Sequence, residues 1–171
     1  GSVDVYVDTG PPTGLEPVAE PDGWSSGPVQ VTFTAADAVS AIDRFELSID
    51  GGSFTVESSP YTVPLSVGDG THEVTVRAYD KADNYLEGSV DVYIDDTPPD
   101  DFNPVADPAG WTSGTVQVAF STTDASSGMD RYELCIDGGT FAEVTSPHII
   151  PALPDGVHTV TVRAYDLAGN V

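Results

Sequence analysis

The sequence predicts an all-β chain of two tandem β-sandwich domains, each of about seven strands. Three observations carry this. An internal repeat comes first: Trp24-Ser25-Ser26-Gly27-Pro28-Val29-Gln30-Val31 returns as Trp111-Thr112-Ser113-Gly114-Thr115-Val116-Gln117-Val118. At the same offset Asp43-Arg44-Phe45-Glu46-Leu47 returns as Asp130-Arg131-Tyr132-Glu133-Leu134, and Asp50-Gly51-Gly52 as Asp137-Gly138-Gly139. One residue out of step, Val74–Asp80 returns as Val160–Asp166. Second, the repeated segments alternate apolar with polar residues, as a half-buried strand does. Third, Asp22-Gly23, Asp50-Gly51-Gly52 and Gly68-Asp69-Gly70 punctuate them as turns, and no helical periodicity of useful length intervenes.

In the first domain these signals place strands near 15–19, 29–35, 44–50, 53–57, 61–65, 72–79 and 89–94. Val29, Val31 and Phe33 face a core while Gln30, Thr32 and Thr34 face water, and Val74, Val76 and Ala78 do the same on a later strand. Trp24 and Trp111 follow a turn beside Val29 and Val116 and are expected to cap the core. His72 and His158 share one repeat position after a turn, where structural duty is expected, and His148 replaces Tyr61 as a packing variant. Glu46 with Arg77, and Glu133 with Arg163, should form exposed cross-strand pairs. Cys135, the only cysteine, is expected on the outward face of its strand and excludes an intrachain disulfide.

Acidic residues number 28 against 5 basic ones, for a formal charge of -23, which repels nucleic acid and anionic membranes. No apolar run is long enough for a membrane helix, so no membrane insertion is expected. No nucleophile recurs with a His or carboxylate partner and no phosphate cradle opens a helix, so the chain reads as a non-enzyme. The acidic excess fits either a solvated acidic surface or carboxylates gathered around divalent cations.

With Asp95-Asp96-Thr97-Pro98-Pro99 between the domains and Ala164-Tyr165-Asp166-Leu167-Ala168-Gly169-Asn170 near the end, the whole chain resembles the bacterial and archaeal Ig-like (fibronectin-III-like) tandem repeats of surface proteins. That resemblance implies an Ig-like fold for both domains and an extracellular or cell-surface role as stalk, adhesin spacer or envelope fibre.

In such a sandwich the chain's entry, the loop after the second strand and the last hairpin loop share one pole. For the second domain this brings together Asp95, Asp96, Asp124, Asp166 and Asn170, and for the first Asp8, Asp37, Asp80 and Asn84. Carboxylates converging without basic neighbours repel unless a hard cation bridges them, and Ca²⁺ accepts such oxygens in flexible geometry. Ca²⁺ is therefore the expected cofactor, with solvated loop aspartates as the plain alternative. The first-domain set departs from the second at Ala41 for Gly128 and at Asp83 for Gly169. A cation near the domain junction would stiffen the Pro98-Pro99 joint.

Domain boundaries do not coincide with the chain's ends. Residues 1–8 repeat the last strand of the first domain, Gly88–Asp95, almost letter for letter. The organisation read from this is an extra final-type strand (1–8), domain one (9–95), and a domain two (96–171) expected to take its last strand from elsewhere. As a donor strand, Val3, Val5 and Val7 would enter a core while Asp4 and Tyr6 face water. Homotypic neighbours, joined by strand donation or as a covalent array, are the partners this implies. A glycan ligand for a carbohydrate-binding module is the competing reading, with Trp111 as its stacking residue.

Overall fold

The computed structural model describes residues 1–171 and divides them into two compact units, Gly1–Asp95 and Asp96–Val171. Both are all-β sandwiches. In the first unit, β1 (Val18–Glu20), β3 (Val29–Thr32) and β6 (Tyr61–Val63) form one sheet in the order β1-β3-β6. The facing sheet runs β2 (Trp24–Ser25), β8 (Tyr85–Ile94), β7 (Gly70–Asp80), β4 (Ile42–Ile49) and β5 (Thr55–Glu57). All pairings are antiparallel except β2 with β8. One 3-10 turn, Leu65–Val67, leads from β6 towards β7.

Alternation dictates the core. Val29 and Val31 of β3, Val74, Val76 and Ala78 of β7, Val92 and Ile94 of β8, Leu47 and Val63 pack together, joined by Phe33 just beyond β3. Each fully buried valine contributes about 1.5–3 kcal/mol of hydrophobic stabilisation. Leu15 is buried as expected, but residues 15–17 pair with nothing and the first strand proper begins at Val18. The strands expected at 29–35, 53–57 and 61–65 are shorter and β2 is additional, while β7 and β8 extend to a tight Asp80–Asn84 connection, because Asp80 and Asn84 exchange backbone and side-chain hydrogen bonds there.

The second unit repeats this with β9 (Val105–Asp107), β10 (Val116–Ala119) and β13 (His148–Ile150) in one sheet, and β12 (Ala142–Val144), β11 (Met129–Ile136) and β14 (Val160–Asp166) in the other. Its core is smaller: Val118, Phe120, Leu134 and Ile150. The difference traces to one strand. β8 covers β7 along its length in the first unit, whereas the equivalent edge of β14 has no pairing partner. Val160 and Val162 are accordingly only partly buried where Val74 and Val76 are fully buried, and residues 156–159 are not strand where 70–73 are. Residues 1–8, expected as a strand, form none here, and Val3, Val5, Tyr6 and Val7 are exposed.

Trp111 is the clearest consequence. Trp24 stacks on Tyr93 of β8, ring centroids 5.6 Å apart, but its repeat counterpart Trp111 is 85% exposed and caps nothing. Cys135 also corrects the expectation, since it is buried rather than outward-facing. Its counterpart Ser48 shows why: the Asp50-Gly51-Gly52 turn folds back over that face, and the Ser48 hydroxyl donates to the Gly52 carbonyl at 2.9 Å. Glu46 and Arg77 are register partners, yet they pair elsewhere, Arg44 Nε with Glu46 and Arg77 Nε with Glu87, each at 2.8 Å. Arg163 and Arg77 instead each lay their guanidinium on a ring, Phe141 and Phe54, at 3.8 Å.

Ala41 adopts φ 66°, in the left-handed region that Gly128 occupies at the same repeat position with φ 79°. A Cβ there is strained. Ala41→Gly is therefore expected to stabilise the first unit by about 1 kcal/mol, less the entropy glycine adds to the unfolded chain. The check is a rise in the denaturant midpoint at constant slope.

Candidate metal centres

Three carboxylates meet at the pole of the first unit where β7 ends and β4 begins. Asp80 is the last residue of β7, Asp37 sits in the loop before β4, and Asp8 lies on the segment leading into the unit. One oxygen from each lies within 4.8 Å of the others. A single oxygen-coordinated divalent cation such as Ca²⁺, with bonds of about 2.3–2.6 Å, can span such a group.

Local hydrogen bonds hold the carboxylates in place. Asp37 Oδ1 alone accepts the amides of Val39, Ser40 and Ala41 at 2.9, 2.8 and 3.1 Å, closing the loop around itself. The Ser40 amide, the largest influence, and the other loop donors hold the Asp37 carboxyl below its ordinary value against the opposing effect of burial. It stays ionised. Asp80 Oδ1 accepts the Ala82 and Asn84 amides, and its Oδ2 accepts Asn84 Nδ2 at 2.8 Å. Asp8 Oδ1 accepts the Gly10 amide, while Asp8 Oδ2 is buried with no hydrogen-bond partner at all.

That orphaned oxygen is the decisive feature. Buried polar atoms are almost always partnered, and a carboxylate oxygen left alone beside two other carboxylates is costly. None of the chain's arginine or histidine ion pairs reaches Asp8, Asp37 or Asp80. A hard divalent cation fits the donor set: three carboxylates, with the remaining positions left to water or backbone carbonyls.

Asn84, expected among the ligands, takes another part. Its Nδ2 donates to Asp80 Oδ2, to the Asp8 carbonyl and to the Gly10 carbonyl, the last two at 3.3 Å. It therefore ties the entering segment to the end of β7 and orients Asp80.

The second unit rebuilds the same local frame. Asp124 Oδ1 accepts the Ser126 and Gly128 amides, and Asp166 accepts Asn170 N and Nδ2 at 2.9 and 2.7 Å. Asn170 Nδ2 also donates to the Thr97 carbonyl, as Asn84 does to Gly10. Asp166 is fully buried. Asp96, expected with them, is exposed and stands outside the cluster. Asp95 is buried at the end of β8 in the first unit.

Sequence reading missed the partners of the two repeated histidines. His72 meets Asp50 and His158 meets Asp137, and the signal was present, because both aspartates recur in the same Asp-Gly-Gly turn.

Residues 15–76 match a family described as bacterial Ig domain. The fold of both units is an Ig-like β-sandwich. Among solved structures these Ig-like domains are similar to the fibronectin(III)-like modules of CbhA from Clostridium thermocellum, at 14% identity over 91% of this chain and 88% of that one, with a TM-score of 0.48. They are also similar to the central fibronectin-III array of RIM-binding protein, at 18% identity over 94% of this chain and 60% of that one, with a TM-score of 0.33. No curated protein matches the chain. No helix in either Ig-like domain is long and apolar enough to cross a membrane.

Proposed function

We propose that these Ig-like domains are structural repeats of an extracellular fibre or of a cell-surface stalk or adhesin, rigidified by Ca²⁺ at the pole of each domain. Ig-like domains are structural or accessory modules and are typically non-catalytic. The observation that carries the calcium reading is the buried, unpartnered Oδ2 of Asp8, whose carboxylate meets those of Asp37 and Asp80. Asp8 belongs to the segment entering the domain, so a cation there fastens linker to sandwich. In the repeat Asp124 and Asp166 of the second unit take the places of Asp37 and Asp80. Neighbouring repeats join by a strand of β8 type, supplied within a tandem array or by residues 1–8 of another copy.

A carbohydrate-binding role ranks second. It draws on the exposure of Trp111, but that exposure has a local cause in the missing stacking partner.

Calorimetric titration and thermal melting with Ca²⁺ test the proposal. Binding to the folded state alone adds about 2.7 kcal/mol at a hundredfold excess over Kd. Chelation is expected to lower the melting temperature. Asp8→Asn is expected to abolish the calcium response of the first domain while leaving its chelated stability unchanged or higher, since it removes a charge whose oxygen has no partner. Equal melting with calcium and chelator in the parent protein overturns the reading in favour of a solvated acidic surface.

A further inference from the structure

At the pole opposite the carboxylates each domain carries a second charged arrangement. In the first, His72 Nδ1 lies 2.8 Å from Asp50 Oδ2 and Nε2 lies 3.0 Å from the Gly68 carbonyl. In the second, His158 Nδ1 lies 2.7 Å from Asp137 Oδ2 and Nε2 lies 2.8 Å from the Pro154 carbonyl. Neither acceptor can donate. A neutral imidazole owns one N–H, so it satisfies one contact and sets a lone pair against an oxygen in the other; only imidazolium donates to both.

We infer that His72 and His158 are protonated latches, each clamping the loop before its strand to the Asp-Gly-Gly turn, and that deprotonation opens them. The latch adds the loop to a turn and strand already joined by the backbone bonds from Asp50 N to the Glu73 carbonyl and from Asp137 N to the Thr159 carbonyl. Asp50 Oδ1 also accepts the Glu73 amide at 3.0 Å, and Asp137 Oδ1 the Thr159 amide at 2.8 Å, so one carboxylate spans both the ring and the strand behind it. His72 is nearly buried, and its cross-strand neighbour is the apolar Val92.

The surrounding charges favour the cation. Asp50 stands on the β4–β5 turn, Asp69 in the loop, Glu73 on β7 and Asp91 opposite Glu73 on β8. Around His158 stand Asp137 and Asp155. None of these is basic, and Tyr93 stands opposite Thr71 on β8. Burial alone would pull His72 down, but the Asp50 and Gly68 hydrogen bonds outweigh it and raise the ring above its ordinary value. For His158 the Asp137 bond is the main cause of a rise in the same direction. The histidine in turn holds Asp50 and Asp137 below the usual carboxylate range.

The sign follows. A histidine raised on folding contributes stability that is complete below about pH 6.5 and is lost as pH rises through the raised folded value. A depressed aspartate contributes stability present above about pH 3.9 and lost as pH falls through its lowered value. The latch is therefore closed in mildly acidic solution and opens towards alkaline pH, independently of any cation at the other pole.

The experiment is an NMR titration of the ¹⁵N-labelled imidazoles in the full chain, in chelator, paired with unfolding from pH 5 to 9. Both nitrogens of His72 and His158 are expected to carry protons at pH 6 and to titrate above 6.5. Asp50→Asn and Asp137→Asn should each lower the titration of their own histidine only. Unfolding midpoints should fall with rising pH in the parent and less so in His72→Gln/His158→Gln. Neutral rings at pH 6, or a midpoint profile that the double variant leaves unchanged, overturn the latch and leave the histidines as packing residues.

Discussion

Asp80→Ala is expected to cost the first Ig-like domain about 3 kcal/mol or more in calcium and far less in chelator. Asp80 is wholly buried, and its removal orphans the Ala82 amide, the Asn84 amide and Asn84 Nδ2. At about 1 kcal/mol for each unmade bond the loss reaches about 3 kcal/mol. Without a cation the crowded carboxylates of Asp8, Asp37 and Asp80 repel one another, and the same substitution relieves that repulsion, offsetting much of the loss. Melting the variant in both conditions reads the difference directly. An equal loss with and without calcium would mean that Asp80 serves the hairpin alone.

The second large effect concerns unequal domains. Calorimetry of the full chain is expected to resolve two transitions, the lower belonging to the second Ig-like domain. There Val160 and Val162 are partly exposed and the β14 edge is unpaired, whereas Val74, Val76, Val92 and Ile94 are sealed by β8 in the first domain. Phe120→Ala should lower only the lower transition and Phe33→Ala only the upper, each by about 3–5 kcal/mol. Extending the chain after Val171 with the sequence of residues 86–95 should raise the lower transition, because it supplies the counterparts of Val92 and Ile94 at about 1.5–3 kcal/mol each. Trp111 fluorescence should change in step as a tyrosine arrives where Tyr93 meets Trp24. A single transition, or an extension without effect on it, would show that the edge needs no covering strand.

How far the sequence could be read depended on whether a residue answers to a short-range rule. Alternation named Val29, Val31, Val74 and Val76 as core because strand period is a local property, whereas the pole shared by Asp37 and Asp80 followed from the sandwich topology that the resemblance implied. Cys135 and Trp111 escaped because their burial depends on what lies over them, a folded-back turn in one case and an uncovered sheet edge in the other. Asn84 was legible as part of the site but not as its organiser, since an amide donates as readily as it ligates and only geometry decides. The histidine latch needed two segments far apart in the chain, His72 and Asp50, to be seen touching.

The position of Asp8 beside Asn84, with Ile94 beside Gly70 at the far end of β7, sets how the first domain bears a load. The chain enters at one pole and leaves at the other. Tension applied through the two linkers therefore runs parallel to β7 and β8 and loads their ladder in shear over the whole ten-residue length of β8. Bonds sheared together share the force; bonds peeled from one end meet it singly. A cation bound as proposed would sit where the pull comes in, so that stretching the entering segment would have to dislodge Asp8 from its carboxylate companions before the ladder itself yields.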